Sequence, residues 1–221
     1  MSRRALSISF GFLALAFSST ALAQSSAPIA PKATMTDEAA CTAGDGDACY
    51  RHGLSLTRAD PPASQRLFEK GCDLCSGHAC QSAAAGYRGI FDTKAKDDAK
   101  AKARQTKAVQ CFVASCEAGS YHACFASSGV VAMGNGVPAD EARSKELSAR
   151  GAKLADAACN TGDATACLLR AADQMVTAPE QSVSFLAKGC TAGNQDACKT
   201  LQMACAAEHK GHAACPKVKQ N

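Results

Sequence analysis

Five segments of the chain share one nine-residue frame: CTAGDGDAC (41–49), CDLCSGHAC (72–80), CEAGSYHAC (116–124), CNTGDATAC (159–167) and CTAGNQDAC (190–198). Each opens and closes on a cysteine, and each has alanine just before the second one. Four have glycine three residues after the first cysteine, at Gly44, Gly119, Gly162 and Gly193, where the remaining segment carries Cys75. A fivefold repeat of one small frame means that a single supersecondary unit recurs, because no such unit can bury its apolar face alone. The glycine fits a helix C-terminus that needs a left-handed residue. Asp45, Asp163 and Asn194, one residue later, can cap the next helix. The frame therefore predicts a helix, a tight turn and a second helix, with a disulfide pinning the two ends together. Each such bond closes nine residues and contributes about 2.6 kcal/mol by chain entropy. The staples matter here, since the 221 residues include no Trp, three Tyr and eight Phe.

Helical patterns precede the frames, with Leu67 and Phe68, Phe112 and Val113, Leu154, and Phe185 and Leu186 as their bulky positions. The first cysteines are 31, 44, 43 and 31 residues apart, so the connections between helices vary in length. The short units turn through Pro61-Pro62 and Pro179. One long unit carries GNGVPADEARSKEL (134–147), whose glycines and Pro138 mark a loop before a helix. The other carries DTKAKDDAKAKARQTKAVQ (92–110), whose mixed charges at helical spacing predict an extended, solvated helix rather than a nucleic-acid arm.

The chain opens MSRRALSISFGFLALAFSSTALAQSS. Arg3 and Arg4 form a basic start, an apolar stretch runs from Ala5 to Phe17, and Ala21-Leu22-Ala23 supplies small residues for cleavage after Ala23. The stretch is too short to span a bilayer, and no cysteine follows the cut to carry a lipid. The general secretory route is favoured over twin-arginine export, because a chain that needs disulfides folds after export. The expected location is the bacterial periplasm or the cell exterior. Residues 24–36 read as a flexible leader, leaving 37–221 as the folded domain. Removing Arg3 and Arg4 lowers the formal charge from +4 to about +2, which argues against a nucleic-acid binder, whose footprint is a concentrated basic face. No membrane span is expected in the mature chain.

These residues resemble Sel1-like repeat proteins, and among them the disulfide-rich branch typified by the Helicobacter cysteine-rich proteins. The five frames carry the resemblance, with the segments Phe68 to Cys72 and Phe185 to Cys190 and the Gly134-Asn135-Gly136-Val137 loop, across residues 37–205. It implies an all-α solenoid: about five αα-hairpins, one disulfide each, stacked into a right-handed superhelix. It also implies a scaffold whose concave face binds a protein or peptide partner. Tyr50, Arg51, Tyr87 and Arg88 are the candidate binding residues, because the resemblance puts them on the helices that line that face. Members of the group have been described as binding or hydrolysing β-lactams, which makes a β-lactam or cell-wall-fragment enzyme the alternative. The mature chain has no Ser-x-x-Lys, no Ser-Asp-Asn and no Lys-Thr-Gly, so no catalytic residue is assigned.

Pairing within the frames joins Cys41 to Cys49, Cys72 to Cys80, Cys116 to Cys124, Cys159 to Cys167, and Cys190 to Cys198. Of the 14 cysteines, Cys75, Cys111, Cys205 and Cys215 are left. Cys111 takes a position that holds Leu67, Leu154 or Phe185 in other units, so a Cys75–Cys111 bond is expected to staple neighbouring units, and Cys205–Cys215 to close a C-terminal cap. Two alternatives compete with that pairing. Cys205, His209, His212 and Cys215 have the composition of a zinc site, and Cys72-x-x-Cys75 has the spacing of a redox pair. An oxidising compartment and the repeat pairing of Cys72 weigh against both, so neither metal nor cofactor is expected. His78 and His122 share one repeat position, where the other units carry Asp47, Thr165 and Asp196, and read as solvent-facing turn residues.

Overall fold

The computed structural model describes residues 35–91, 96–207 and 213–215. The proposed cleavage site and most of the leader lie outside them, as do His209 and His212. Among the described residues there are ten helices and no strand: α1 (Asp37–Thr42), α2 (Gly46–Leu56), α3 (Pro61–Asp73), α4 (Gly77–Tyr87), α5 (Asp98–Glu117), α6 (Tyr121–Ala132), α7 (Glu141–Asn160), α8 (Ala164–Gln174), α9 (Pro179–Thr191) and α10 (Gln195–Ala207). Each helix packs on its predecessor and its successor, with further packing of α2 on α4, α3 on α5 and α7 on α9. Contacts that stay between chain neighbours are the mark of a solenoid.

The frame builds each turn as the residues suggest. Gly44, Gly119, Gly162 and Gly193 take φ values of 101°, 101°, 95° and 93°, and Cys75 takes 63° in the same place. The side chains of Asp45 and Asp163 accept hydrogen bonds from the first-turn amides of α2 and α8, and Asn194 accepts from Ala197. In the two frames without an acidic or amide residue there, Ser76 and Ser120 cap α4 and α6 through their hydroxyls. Pro61 and Pro179 open α3 and α9, where the missing amide hydrogen costs nothing.

Seven disulfides hold this frame. Cys41–Cys49, Cys72–Cys80, Cys116–Cys124, Cys159–Cys167 and Cys190–Cys198 each join the end of one helix to the start of the next, with Cα atoms 4.4–4.7 Å apart. Cys75–Cys111 ties the α3–α4 turn to α5, and Cys205–Cys215 ties α10 to the segment after it. No cysteine is free. So many disulfides belong to a protein of an oxidising, extracytoplasmic environment.

Small residues let the helices close up around few large ones. The ring of Phe68 lies where a Cβ on Gly53 would sit, and that of Phe112 where one on Gly77 would sit. Both rings are buried, with Cys72, Cys80, Cys111 and Cys116 around Phe112. Serines supply polar links between successive helices: the Ser64 hydroxyl donates to the Gly53 carbonyl and Ser182 to the Ala171 carbonyl. One expectation needs correction. α5 is not merely a solvated helix, for it buries Ala101, Gln105, Ala108, Val109, Cys111 and Phe112 along one face. Its charged residues flank that face, and Arg104 reaches Glu69 and Asp73 of α3.

Candidate functional site

Side-chain contacts join the start of α4 to that of α2, and the start of α6 to that of α8. Ser76, the cap of α4, donates its hydroxyl hydrogen to Asp47 of α2. Tyr121 of α6 donates to Asp163 Oδ2 at 2.9 Å, while Oδ1 of the same carboxylate caps α8. Rings pack beside each bridge. His78 stacks on Tyr50 with centroids 5.5 Å apart and meets the edge of Phe112 at 4.9 Å. His122 packs on Tyr121 at 4.3 Å. Both histidines are exposed on their free sides. His78 thus belongs to an aromatic row, Tyr50–His78–Phe112, that runs from α2 through α4 to α5, and His122 to a separate ring pair with Tyr121 on α6.

The electrostatics of Tyr121, His122 and Asp163 follow from this packing. Burial against Tyr121 holds the His122 imidazole below its usual range, against the attraction of Asp163 and with a smaller repulsion from His78. The Asp163 carboxyl is also held low, first by the amide of Ala166 and further by the Tyr121 hydroxyl. The Tyr121 hydroxyl is pushed up to about 12 by burial and by its bond to Asp163. A phenol whose folded-state pKa lies above its unfolded value of about 10 stabilises the fold below pH 10 and loses that contribution as pH rises toward 12. Absorbance at 295 nm should show a tyrosinate step near pH 12 that Tyr121→Phe removes.

The four sequence candidates do not form one patch. Tyr50 is half-buried, with its ring against Phe68 and His78. Arg51 is exposed and paired with Asp37 at 2.8 Å. Tyr87 is the last residue of α4, so it and Tyr50 differ by six repeat positions, about 9 Å of helix rise. Its hydroxyl bonds to Glu69, and Lys100 lies 5.4 Å over its ring. Arg88 is exposed at the end of α4 and takes no ion pair among the described residues. Only Tyr50 belongs to the aromatic row.

Other charged clusters are structural. Arg170 is buried, pairs with Asp156 and Asp173, and lies 5.2 Å over the Phe185 ring, which joins α7, α8 and α9. Arg104 bridges Glu69 and Asp73, joining α5 to α3. No group of three or more His, Cys, Asp or Glu among the described residues could hold a metal ion. Cys72 and Cys75 bond to different partners and make no dithiol pair. No described helix is long and apolar enough to cross a membrane.

No protein-family model matches the sequence, and no curated protein does. Among solved structures, the chain is similar to the crystal structure of a Sel1 repeat protein from Oxalobacter formigenes, at 17% identity and a TM-score of 0.41 over 77% of this chain and 66% of that one. It is also similar to a protective antigen present in uropathogenic Escherichia coli strains displaying an SLR fold, at 14% identity and a TM-score of 0.30 over 76% of this chain and 51% of that one. The likeness is to Sel1 repeats. The chain spans 66% and 51% of these two proteins' own lengths.

Proposed function

We propose that this protein is an exported, non-enzymatic repeat scaffold that binds a protein or peptide partner in the periplasm or outside the cell. The supporting observation is that His78 and His122, at one repeat position of successive units, are both exposed and packed on the rings of Tyr50 and Tyr121. Rings of this kind supply contact area at low entropic cost and concentrate binding energy at interfaces. Solenoids use surfaces that run across units in this way. The role as a scaffold also accounts for the serines. Ser64, Ser127 and Ser182 spend their hydroxyl hydrogens on backbone carbonyls, in the manner of structural residues rather than activated nucleophiles.

The test is site-specific photocrosslinking in the exported protein. A photoreactive phenylalanine at position 122 should yield a discrete adduct, and one at Lys153, exposed on α7, should not. His78→Ala should remove that adduct without changing the circular dichroism. Equal labelling from both positions, or saturable hydrolysis of a chromogenic β-lactam, would overturn the reading.

A further inference from the structure

A cleft of about 510 Å³ opens between the end of α4, the start of α5 and the loop that precedes α7. It lies at the opposite end of α4 from His78. On α5, Asp98, Lys102 and Gln105 fall at helical spacing on one face and line it together, and Arg88 and the loop residues Val137 and Pro138 complete the walls. Four features distinguish it from ordinary surface.

The first is unspent charge. Lys145 pairs with Glu141 at i,i+4 and Lys100 with Asp97 at i,i+3, yet Asp98 and Lys102, also four apart, make no ion pair among the described residues. Neither does Arg88. The second is an unspent amide. Gln105 lines the cleft, and its carboxamide makes no hydrogen bond to another described residue. The third is rigidity. Gly136 has φ 87°, and a Cβ there would lie 2.5 Å from the Gln105 carbonyl carbon, so the loop rests directly on the α5 backbone. The Thr106 hydroxyl holds it there by donating to the Gly136 carbonyl at 2.6 Å. The fourth is composition: Val137 and Pro138 give the cleft an apolar side opposite its charges. A preformed cleft with apolar walls and a few convergent polar groups is what small-ligand sites look like.

We propose that this cleft binds a short zwitterionic peptide, of about three residues for its volume. Arg88 and Lys102 take the terminal carboxylate, Asp98 takes the ammonium, and the Gln105 carboxamide pairs with a peptide group between them. The carboxamide and the peptide group each offer one donor edge and one acceptor edge, so both are satisfied at once. Small apolar side chains fit against Val137 and Pro138. This site is separate from the aromatic row, and neither assignment depends on the other.

Calorimetric titration of the folded protein with Ala-Ala-Ala tests it. Binding is expected between about 10 μM and 1 mM, with amidation of the carboxylate weakening it by about tenfold and N-acetylation by several-fold. Free alanine, too short to reach both charges, should bind more weakly than the tripeptide. Lys102→Glu and Arg88→Glu, both on exposed side chains, should each weaken binding by about tenfold with an unchanged circular dichroism spectrum. Lys153→Glu and His122→Ala should leave it as it was. No heat at about 10 mM tripeptide overturns the proposal. Binding that ignores the blocked termini, or that both charge reversals leave intact, overturns it equally. Loss of the photocrosslinked adduct would leave this result untouched.

Discussion

Gly71→Ala destabilises the protein by about 3 kcal/mol, whereas Gly129→Ala stabilises it by about 0.5 kcal/mol. The substitution is the same and both glycines are in helices, so propensity favours alanine at each site. The surroundings decide the sign. A Cβ on Gly71 would lie 2.7 Å from the Ala79 Cβ, 2.8 Å from the Gly46 carbonyl oxygen and 3.2 Å from the Cys49 Cβ. None of these atoms is the end of a flexible side chain, and the Cys72–Cys80 and Cys41–Cys49 bonds hold their helices close. α3 must therefore back away from both α2 and α4. At Gly129 nothing lies within 4 Å. At about 3 °C of melting temperature per kcal/mol for a domain of this size, thermal unfolding should separate the two variants by about 10 °C. Gly189, which a Cβ would bring within 3.1 Å of Ala197 and 3.3 Å of the Cys167 Cβ, should behave as a milder Gly71.

The repeat frame made the helix boundaries legible because it contains their chemistry: a left-handed glycine to end one helix, a capping side chain to begin the next, and a cysteine on each. Ser76 and Ser120 were harder to see as caps, since serine is common and their frames lack the aspartate of the others. The buried face of α5 was hidden for a different reason. Alanine and glutamine carry little hydropathy signal, and three lysines of α5 before Ala108 mask the spacing of Ala101, Gln105, Ala108 and Phe112. Small residues form much of this core because the disulfides bring the helices so close that larger ones would not fit.

The aromatic row was legible only in part. Tyr50 follows a closing cysteine by one residue, and His78 precedes one by two. Nothing along the chain joins those two positions, and they meet because α2 and α4 are neighbours offset along their axes. His78 therefore read as a turn residue when its own segment was the only context. The cleft was less visible still. Arg88 stood out as a residue on a helix expected to line the concave face, but its companions come from α5 and from a loop about fifty residues further on, brought together by the Thr106–Gly136 contact.

Removing the Cys75–Cys111 bond should cost most when serine replaces Cys75 and least when glycine does. The bond closes 36 residues of sequence separation, worth about 4 kcal/mol in the chain-entropy account, compared with about 2.6 for each nine-residue staple. Against that gain, Cys75 occupies a left-handed backbone position with φ 63°. A non-glycine residue costs about 1–2 kcal/mol there. Cys75→Ser with Cys111→Ser keeps that cost, loses the bond and leaves two hydroxyls in its place, one of them at the 1% exposed position 111. Its expected loss is about 4–5 kcal/mol. Cys75→Gly with Cys111→Ala restores the glycine of the other four frames, relieves the backbone and leaves no buried hydroxyl, so its expected loss is about 2–3 kcal/mol. Chemical unfolding of the two double variants measures the difference. Equal losses would mean that the backbone relief and the missing buried hydroxyl are together offset by the freedom glycine gives the unfolded chain. A larger loss with glycine would mean that the freedom it gives the unfolded chain outweighs the relief. The expected order makes Cys75 a position where a covalent tie between units holds the backbone in a conformation the other four frames leave to glycine.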